Sequence, residues 1–238
     1  MTAMARTLSR ESSHEERVAR VREVLAESGV SSYEALVNRL ADDAPLLSHE
    51  DHVMMIGATD GSPPAALRPH QPPEMMVVID GETNEPETVR EFDGQPLYST
   101  PGIDKKGSQV LYSFTTLQGL NDHLVAAPPH DIGTTNPDSL PELSYYYEDE
   151  DAGGDWLQNG PGRAWPDLRS VPRGFLHTQN WNDIISSVNW CRWDVSVWDR
   201  PNYQGSQLYL PAGVTYFHLS QLGWNDCVSA TANWGQRF

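Results

Sequence analysis

Basic residues are scarce in this sequence: 16 Lys and Arg stand against 33 Asp and Glu, a formal net charge of −17. Nucleic-acid binding draws on lysine and arginine clusters that release counterions from phosphates, and the sequence has no such patch. Anionic membrane surfaces are set aside on the same ground. Cysteine is scarce too, with Cys191 and Cys227 the two in 238 residues. Two thiols do not build a disulfide framework. Reduced thiols in a cytoplasmic protein are the expectation, with a single Cys191–Cys227 bridge as the alternative if the chain is exported by a non-classical route. No apolar run approaches the ~20 residues that a membrane helix needs, and Met1 to Gly29 lacks the apolar core of a secretory signal. There is no phosphate loop, dinucleotide fingerprint, zinc-type cysteine pair or nucleophile elbow. With no nucleophile or base nominated, a non-enzymatic protein is expected.

What is present is a globular composition with 18 Gly, 18 Pro and 8 Trp. Residues 10–29 read as an amphipathic helix: Ser13 and Glu16 fit a capping box, Val18, Val21, Val24 and Leu25 share a face, and Gly29 suits a left-handed cap. A second helix follows, with Ser31 and Glu34 as its box and Tyr33, Leu36, Val37 and Leu40 as its face. His52 to Gly57, Met75 to Asp80, Pro96 to Thr100 and Gln109 to Thr115 read as strands. Ser62 to Pro73 is a proline-rich loop. Thr116 to Val125 fits a short helix with Leu117, Leu120 and Leu124 on one side. Residues 1–126 are therefore expected to form a small α+β domain. Residues 127–141, rich in Pro, Asp and Thr, read as a linker. His49-Glu50-Asp51-His52 and Asn121-Asp122-His123 read as a solvated turn and a helix surface.

Residues 142–238 hold one unit written twice. Trp181-Asn182-Asp183-Ile184-Ile185-Ser186-Ser187 is answered by Trp224-Asn225-Asp226-Cys227-Val228-Ser229-Ala230. Upstream, Tyr147 leads to Gly154 and Trp198 to Gly205, each seven residues on. From Tyr147 to Asn182 is 35 residues and from Trp198 to Asn225 is 27. The extra eight are expected in the loop-like stretch Asn159 to Pro172. Gln207 to Leu210 and Val214 to Phe217 alternate as strands do, and four strands per copy predict a β-sandwich. Glycine at the end of each aromatic-x6-Gly stretch suits a hairpin bend that needs positive φ. Trp181, Trp190, Trp224 and Trp234 are expected in the core.

The Asn-Asp-x-x-Ser segments invite a different reading. Packing does not call for a carboxylate, an amide and a hydroxyl at the same offsets in both copies. A hard cation does, since Ca²⁺ takes ~6–8 oxygen ligands in flexible geometry. Glu148 and Asp199 follow the two aromatics directly. The alternative is that Asp and Ser cap turns through local backbone bonds.

At these residues the sequence resembles the βγ-crystallin family, particularly its microbial calcium-binding domains. Tyr147–Gly154 and Trp198–Gly205 fit the two Greek-key signatures. Asn182 to Ser187 fits the family's double-clamp calcium motif throughout, and Asn225 to Ala230 fits all but the last position, where Ala230 replaces a serine. The resemblance implies a Greek-key β-sandwich of two motifs binding two calcium ions. One site would use the Ser186 hydroxyl, the Ile184 carbonyl, the Asp226 side chain and the Asp199 carbonyl. The other would use Ser229, the Cys227 carbonyl, Asp183 and the Glu148 carbonyl. The Ser229 site is expected to be the weaker. The functional expectation is a calcium-binding protein stabilised by Ca²⁺, with a protein partner engaged through the N-terminal domain. A metalloproteinase inhibitor or toxin-like protein on the same scaffold, and a structural assembly component without functional calcium binding, are the alternatives.

Overall fold

Thirteen strands and one α-helix form among the residues that the computed structural model describes, 68–126, 142–173, 179–189 and 191–235. They are β1 (Val77–Ile79), β2 (Glu82–Asn84), β3 (Tyr98–Ile103), β4 (Gln109–Phe114), α1 (Leu117–Ala126), β5 (Ser144–Tyr147), β6 (Trp156–Asn159), β7 (Arg163–Trp165), β8 (Pro172–Arg173), β9 (Gln179–Asn180), β10 (Ser187–Asn189), β11 (Val195–Arg200), β12 (Gln204–Leu210) and β13 (Ala230–Asn233). The strands expected at Met75–Asp80, Pro96–Thr100 and Gln109–Thr115 form as β1, β3 and β4, and the expected short helix is α1. β2 is polar and has no apolar alternation to announce it. It exists because Asp80 and Gly81 both take positive φ and fold Glu82–Asn84 back on β1, the Asp-Gly hairpin geometry. The two expected N-terminal helices, the strand His52–Gly57 and the segment 127–141 lie outside the described residues.

The two copies exchange a strand. β10, β5 and β6 form one sheet, while β7, also from the first copy, pairs with β13 of the second, Ala232 opposite Ala164. In return Tyr216 of the second copy bridges to Val188 of β10, each N–H donating to the other's carbonyl at 2.8–2.9 Å. The expected strand Val214–Phe217 is reduced to this one residue. The interleaved faces bury Tyr146, Ile185 and Val188 against Val195, Val197, Leu208, Leu210 and Val228. Trp181 and Trp224 join that core, as expected. Trp234 is partly buried, its indole N–H on Ser196 at 2.9 Å. Trp190 lies outside the described residues. Trp198 is buried on the opposite face of β11, edge-on to Tyr203 at 5.1 Å. Cys191 and Cys227 are both buried free thiols.

The second sheet does not stop at the repeat. Its order is β2-β1-β4-β3-β12-β11-β13-β7. β3 runs parallel to β12, with Tyr98 opposite Gln207 and Ser99 opposite Leu208. The Gln207 N–H donates to the Leu97 carbonyl at 3.0 Å, and the Leu97 N–H to the Ser206 hydroxyl at 3.1 Å. Residues on both sides of the 127–141 segment thus share one sheet, and Leu111 of β4 joins the main core while Val77, Ile79, Val89 and Leu97 make a smaller cluster of their own. None of the described helices is long and apolar enough to cross a membrane.

Candidate metal centre

The glycine of each aromatic-x6-Gly stretch makes room for the acid that follows the aromatic. Gly154 and Gly205 both have positive φ. The Glu148 carboxylate curls over the bend to accept from the Asp155 N–H at 3.3 Å, and the Asp199 carboxylate accepts from the Ser206 N–H at 2.8 Å. A Cβ on Gly205 would lie 2.0 Å from the Asp199 Oδ1, and one on Gly154 within about 3.1 Å of the Glu148 side chain. In the second copy the acid is buried, and desolvation pushes the Asp199 carboxyl up to about 6 against the pull of the Ser206 N–H. In the first copy the Arg173 guanidinium pairs with Glu148 and holds it below the usual carboxylate range.

The two Asn-Asp loops correspond in their main bonds. Asp183 and Asp226 both sit in the left-handed region, φ 61° and 53°, a conformation that Asp and Asn adopt more readily than bulkier residues. The Asp183 N–H donates to the Val228 carbonyl, and the Asp226 N–H to the Ile185 carbonyl. Each loop therefore hangs on the other. The Ser186 hydroxyl lies 3.1 Å from Asp226 Oδ1 and 3.3 Å from the Ile184 carbonyl. The Ser229 hydroxyl lies 3.3 Å from Asp183 Oδ1. The Asn182 amide donates to Asp183 at 2.6 Å and the Asn225 amide to Asp226 at 2.8 Å.

Further matches fix the alignment of the copies. Leu168 donates to the Ser229 carbonyl and Leu219 to the Ser186 carbonyl. The copies are thus offset by 51 residues as far as Leu168 and Leu219, but by 43 at Asp183 and Asp226. The eight-residue insertion accordingly falls after Leu168, and not in Asn159–Pro172. It spans the β8–β9 pair, whose two strands make a ladder of their own. The loop-like composition of 159–172 misled because β7 and the turn at Leu168 are present in both copies' plan.

The side chains expected to share each ion meet in pairs, Ser186 with Asp226 and Ser229 with Asp183, and the Ile184 carbonyl lies beside Ser186. The Ser186 N–H bonds to the Tyr147 carbonyl, 2.9 Å, and the Ser229 N–H to the Trp198 carbonyl, 2.7 Å. Ser186 is therefore adjacent to the peptide entering Glu148, and Ser229 to that entering Asp199. The resemblance implied the opposite pairing. This adjacency places the Ser186–Asp226 set beside Glu148 and the Ser229–Asp183 set beside Asp199. A cavity of about 50 Å³ lined by Asp199, Ser206, Trp224, Cys227 and Arg68 borders the second set.

Both asparagine Oδ1 atoms, of Asn182 and Asn225, are shielded from solvent and have no hydrogen-bond donor among the described residues. Unsatisfied oxygens on asparagines whose amides touch a carboxylate are chemically compatible with a hard cation. Among the described residues no three His, Cys, Asp or Glu side chains cluster as a metal site, so any ion here would be held largely by neutral oxygens. The residues that sequence reasoning did not nominate are Arg68 and Arg173. Arg68, from the loop-like stretch before β1, pairs with Asp183. No periodicity or motif marks either arginine.

Solved βγ-crystallin domains match the C-terminal part of the chain. A βγ-crystallin from Ciona intestinalis is 24% identical, covering 38% of this chain and 98% of its own, with a TM-score of 0.31. A double mutant of a βγ-crystallin domain from Clostridium beijerinckii is 21% identical, covering 40% and 100%, TM-score 0.32. Spherulin 3A from Physarum polycephalum is 20% identical, covering 44% and 90%, TM-score 0.31. No protein-family model matches the chain and no curated protein does.

Proposed function

We propose that this is a non-enzymatic calcium-binding protein in which the paired Asn-Asp loops hold two Ca²⁺ ions that stabilise the sandwich. The observation that supports it most is the reciprocal exchange: each loop's aspartate reaches the other loop's serine, 3.1 and 3.3 Å. Turn capping alone would keep these bonds within one loop. The left-handed Asp183 and Asp226 add to this, since strained conformations recur where a site over-determines them. Ser186, Ile184, Asp226 and Glu148 would hold one ion, the last through its carbonyl. Ser229, Cys227, Asp183 and Asp199 would hold the other.

Calcium titration by calorimetry on the chelator-treated chain tests this, together with melting in Ca²⁺ and in chelator. Binding to the folded form alone adds about 2.7 kcal/mol per site at 100-fold excess over Kd. A chain that releases no heat and melts at the same temperature in millimolar Ca²⁺ and in chelator would not be a calcium protein.

A further inference from the structure

The correspondence between the two loops breaks at the aspartates' outer oxygens. Asp226 Oδ2 is met by the Asn225 amide, and among the described residues no basic side chain pairs with it. Asp183 Oδ2 is met by the equivalent Asn182 amide and also by the Arg68 guanidinium. Arg68 belongs to neither copy. It begins a strap, residues 68–74, that lies across the Asn225 loop. The Gln71 side chain donates to the Asn225 carbonyl at 3.0 Å, and the Glu74 N–H to the Gln221 carbonyl at 2.9 Å. The His70 N–H is held by Asp93 at 2.6 Å and its ring lies 2.9 Å from the Gln95 carbonyl. Gly223 approaches the strap so closely that a Cβ there would sit 2.1 Å from the Gln71 carbonyl oxygen. The strap is seated, and it delivers a fixed positive charge to one carboxylate of the pair.

The geometry points to Arg68 as the residue that makes the two calcium sites unequal: its guanidinium holds Asp183 Oδ2 while the Ser229 hydroxyl meets Oδ1, so Ca²⁺ enters the Ser229–Asp183 set against a rival positive charge on the same carboxylate. This rests on the calcium reading above. A guanidinium and a divalent ion repel each other when they share one carboxylate. The rivalry is one of competition and not of blockade, because Arg68 and Asp183 are 36% and 26% exposed and an ion pair so open to water is weak. The Ser186–Asp226 set has no such rival among the described residues and fills first. The order of filling then follows from a residue far outside the repeat, not from Ala230 or Cys227 within it.

The test is calcium titration of the full chain as wild type, Arg68→Met and Asp183→Asn. Wild type shows two unequal affinities, and Asp183→Asn removes the weaker. Arg68→Met tightens the weaker by about two- to fivefold, the range that an ion pair so open to water allows, and leaves the tighter unchanged. In the wild-type chain itself, which needs no variant to fold, the Arg68 Nε–H NMR signal moves with the weaker phase of the titration. Superimposable wild-type and Arg68→Met isotherms, or an Arg68 signal that follows the tighter phase, would overturn the rivalry and leave the calcium reading standing. No calcium uptake by either chain would overturn both.

Discussion

The Ser186 hydroxyl and the Asp226 carboxylate meet at 3.1 Å across forty residues of sequence. Neither copy of the repeat completes a Ser–Asp pair alone, so on the calcium reading damage to one loop is felt at the other copy's serine.

The first prediction is a cross-copy effect. Asp226→Asn removes the charge from the set that contains Ser186 and leaves the Ser229 set with its own Asp183. Calorimetry should show loss of the tighter Ca²⁺ equivalent and retention of the weaker. Melting in saturating Ca²⁺ should fall by several degrees, given about 2–4 °C per kcal/mol for a chain of this size, while melting in chelator barely changes. If both equivalents vanish together, the ions are not held in two separate sets.

A second prediction separates the two bends. Gly205→Ala forces a side chain into the left-handed region, about 1–2 kcal/mol by itself. It also places a Cβ 2.0 Å from Asp199 Oδ1, and Asp199 is only 6% exposed, with little room to withdraw. Gly154→Ala carries the same backbone strain, but its nearest contact, Asp149 Oδ2 at 2.8 Å, belongs to an exposed side chain that can swing toward solvent. Urea unfolding should show a loss of about 2–4 kcal/mol for Gly205→Ala, in the range of core strain, and roughly half that for Gly154→Ala. Equal losses would mean that backbone strain alone sets the need for glycine.

These contrasts show where the sequence was legible. The repeat, the two bends and the matched Asn-Asp loops could be read because each is marked locally: positive φ needs glycine, and the same Asn, Asp and Ser recur at the same offsets. Three of the four strands within 75–115, β1, β3 and β4, could be read from their apolar runs, and the polar β2 could not. Long-range register could not. Nothing in Ser206 or Leu97 foretells that β12 is extended by β3. The partner of Asp183 is an arginine 115 positions away in a proline-rich stretch. The insertion was misplaced because composition marks loops, whereas the matched bonds of Leu168 and Leu219 mark equivalence.

A third prediction concerns pH. His218 Nδ1 lies 3.0 Å from Glu150 and Nε2 3.3 Å from Asp151, tying the first copy's bend to the segment after Tyr216. The bond to Glu150, and then the charges of Asp151 and Glu150, raise the imidazole above its usual 6.5. A raised folded value means that the imidazolium's contribution is fully present below the unfolded pKa and is lost as pH rises through the folded one. NMR titration of the His218 ring should give a midpoint above 6.5, and Glu150→Gln should lower it. Stability of the wild type should decline from pH 6 to 8 more steeply than that of Glu150→Gln. A ring that titrates identically in both chains would show that the pair does not form in solution.

The last prediction concerns the shared sheet. A fragment of residues 142–238 keeps both copies and all eight donor residues but removes β3 and β4. Two losses follow. The edge of β12 at Gln207 and Leu208, paired with Tyr98 and Ser99 in the full chain, becomes free to pair with another molecule. The main core also loses Leu111, a buried leucine whose removal from water is worth about 1.5–3 kcal/mol. Removing the strap as well frees Asp183 from Arg68. The fragment should therefore unfold at lower urea than the full chain and self-associate with rising concentration in sedimentation runs, while its weaker calcium site tightens. A charged residue on the exposed edge, Gln207→Lys, should restore the monomer without restoring the stability, because it blocks strand addition but does not refill the place of Leu111. A fragment that is monomeric and as stable as the full chain would show that β12 ends the sandwich and that strands β1–β4 merely rest against it.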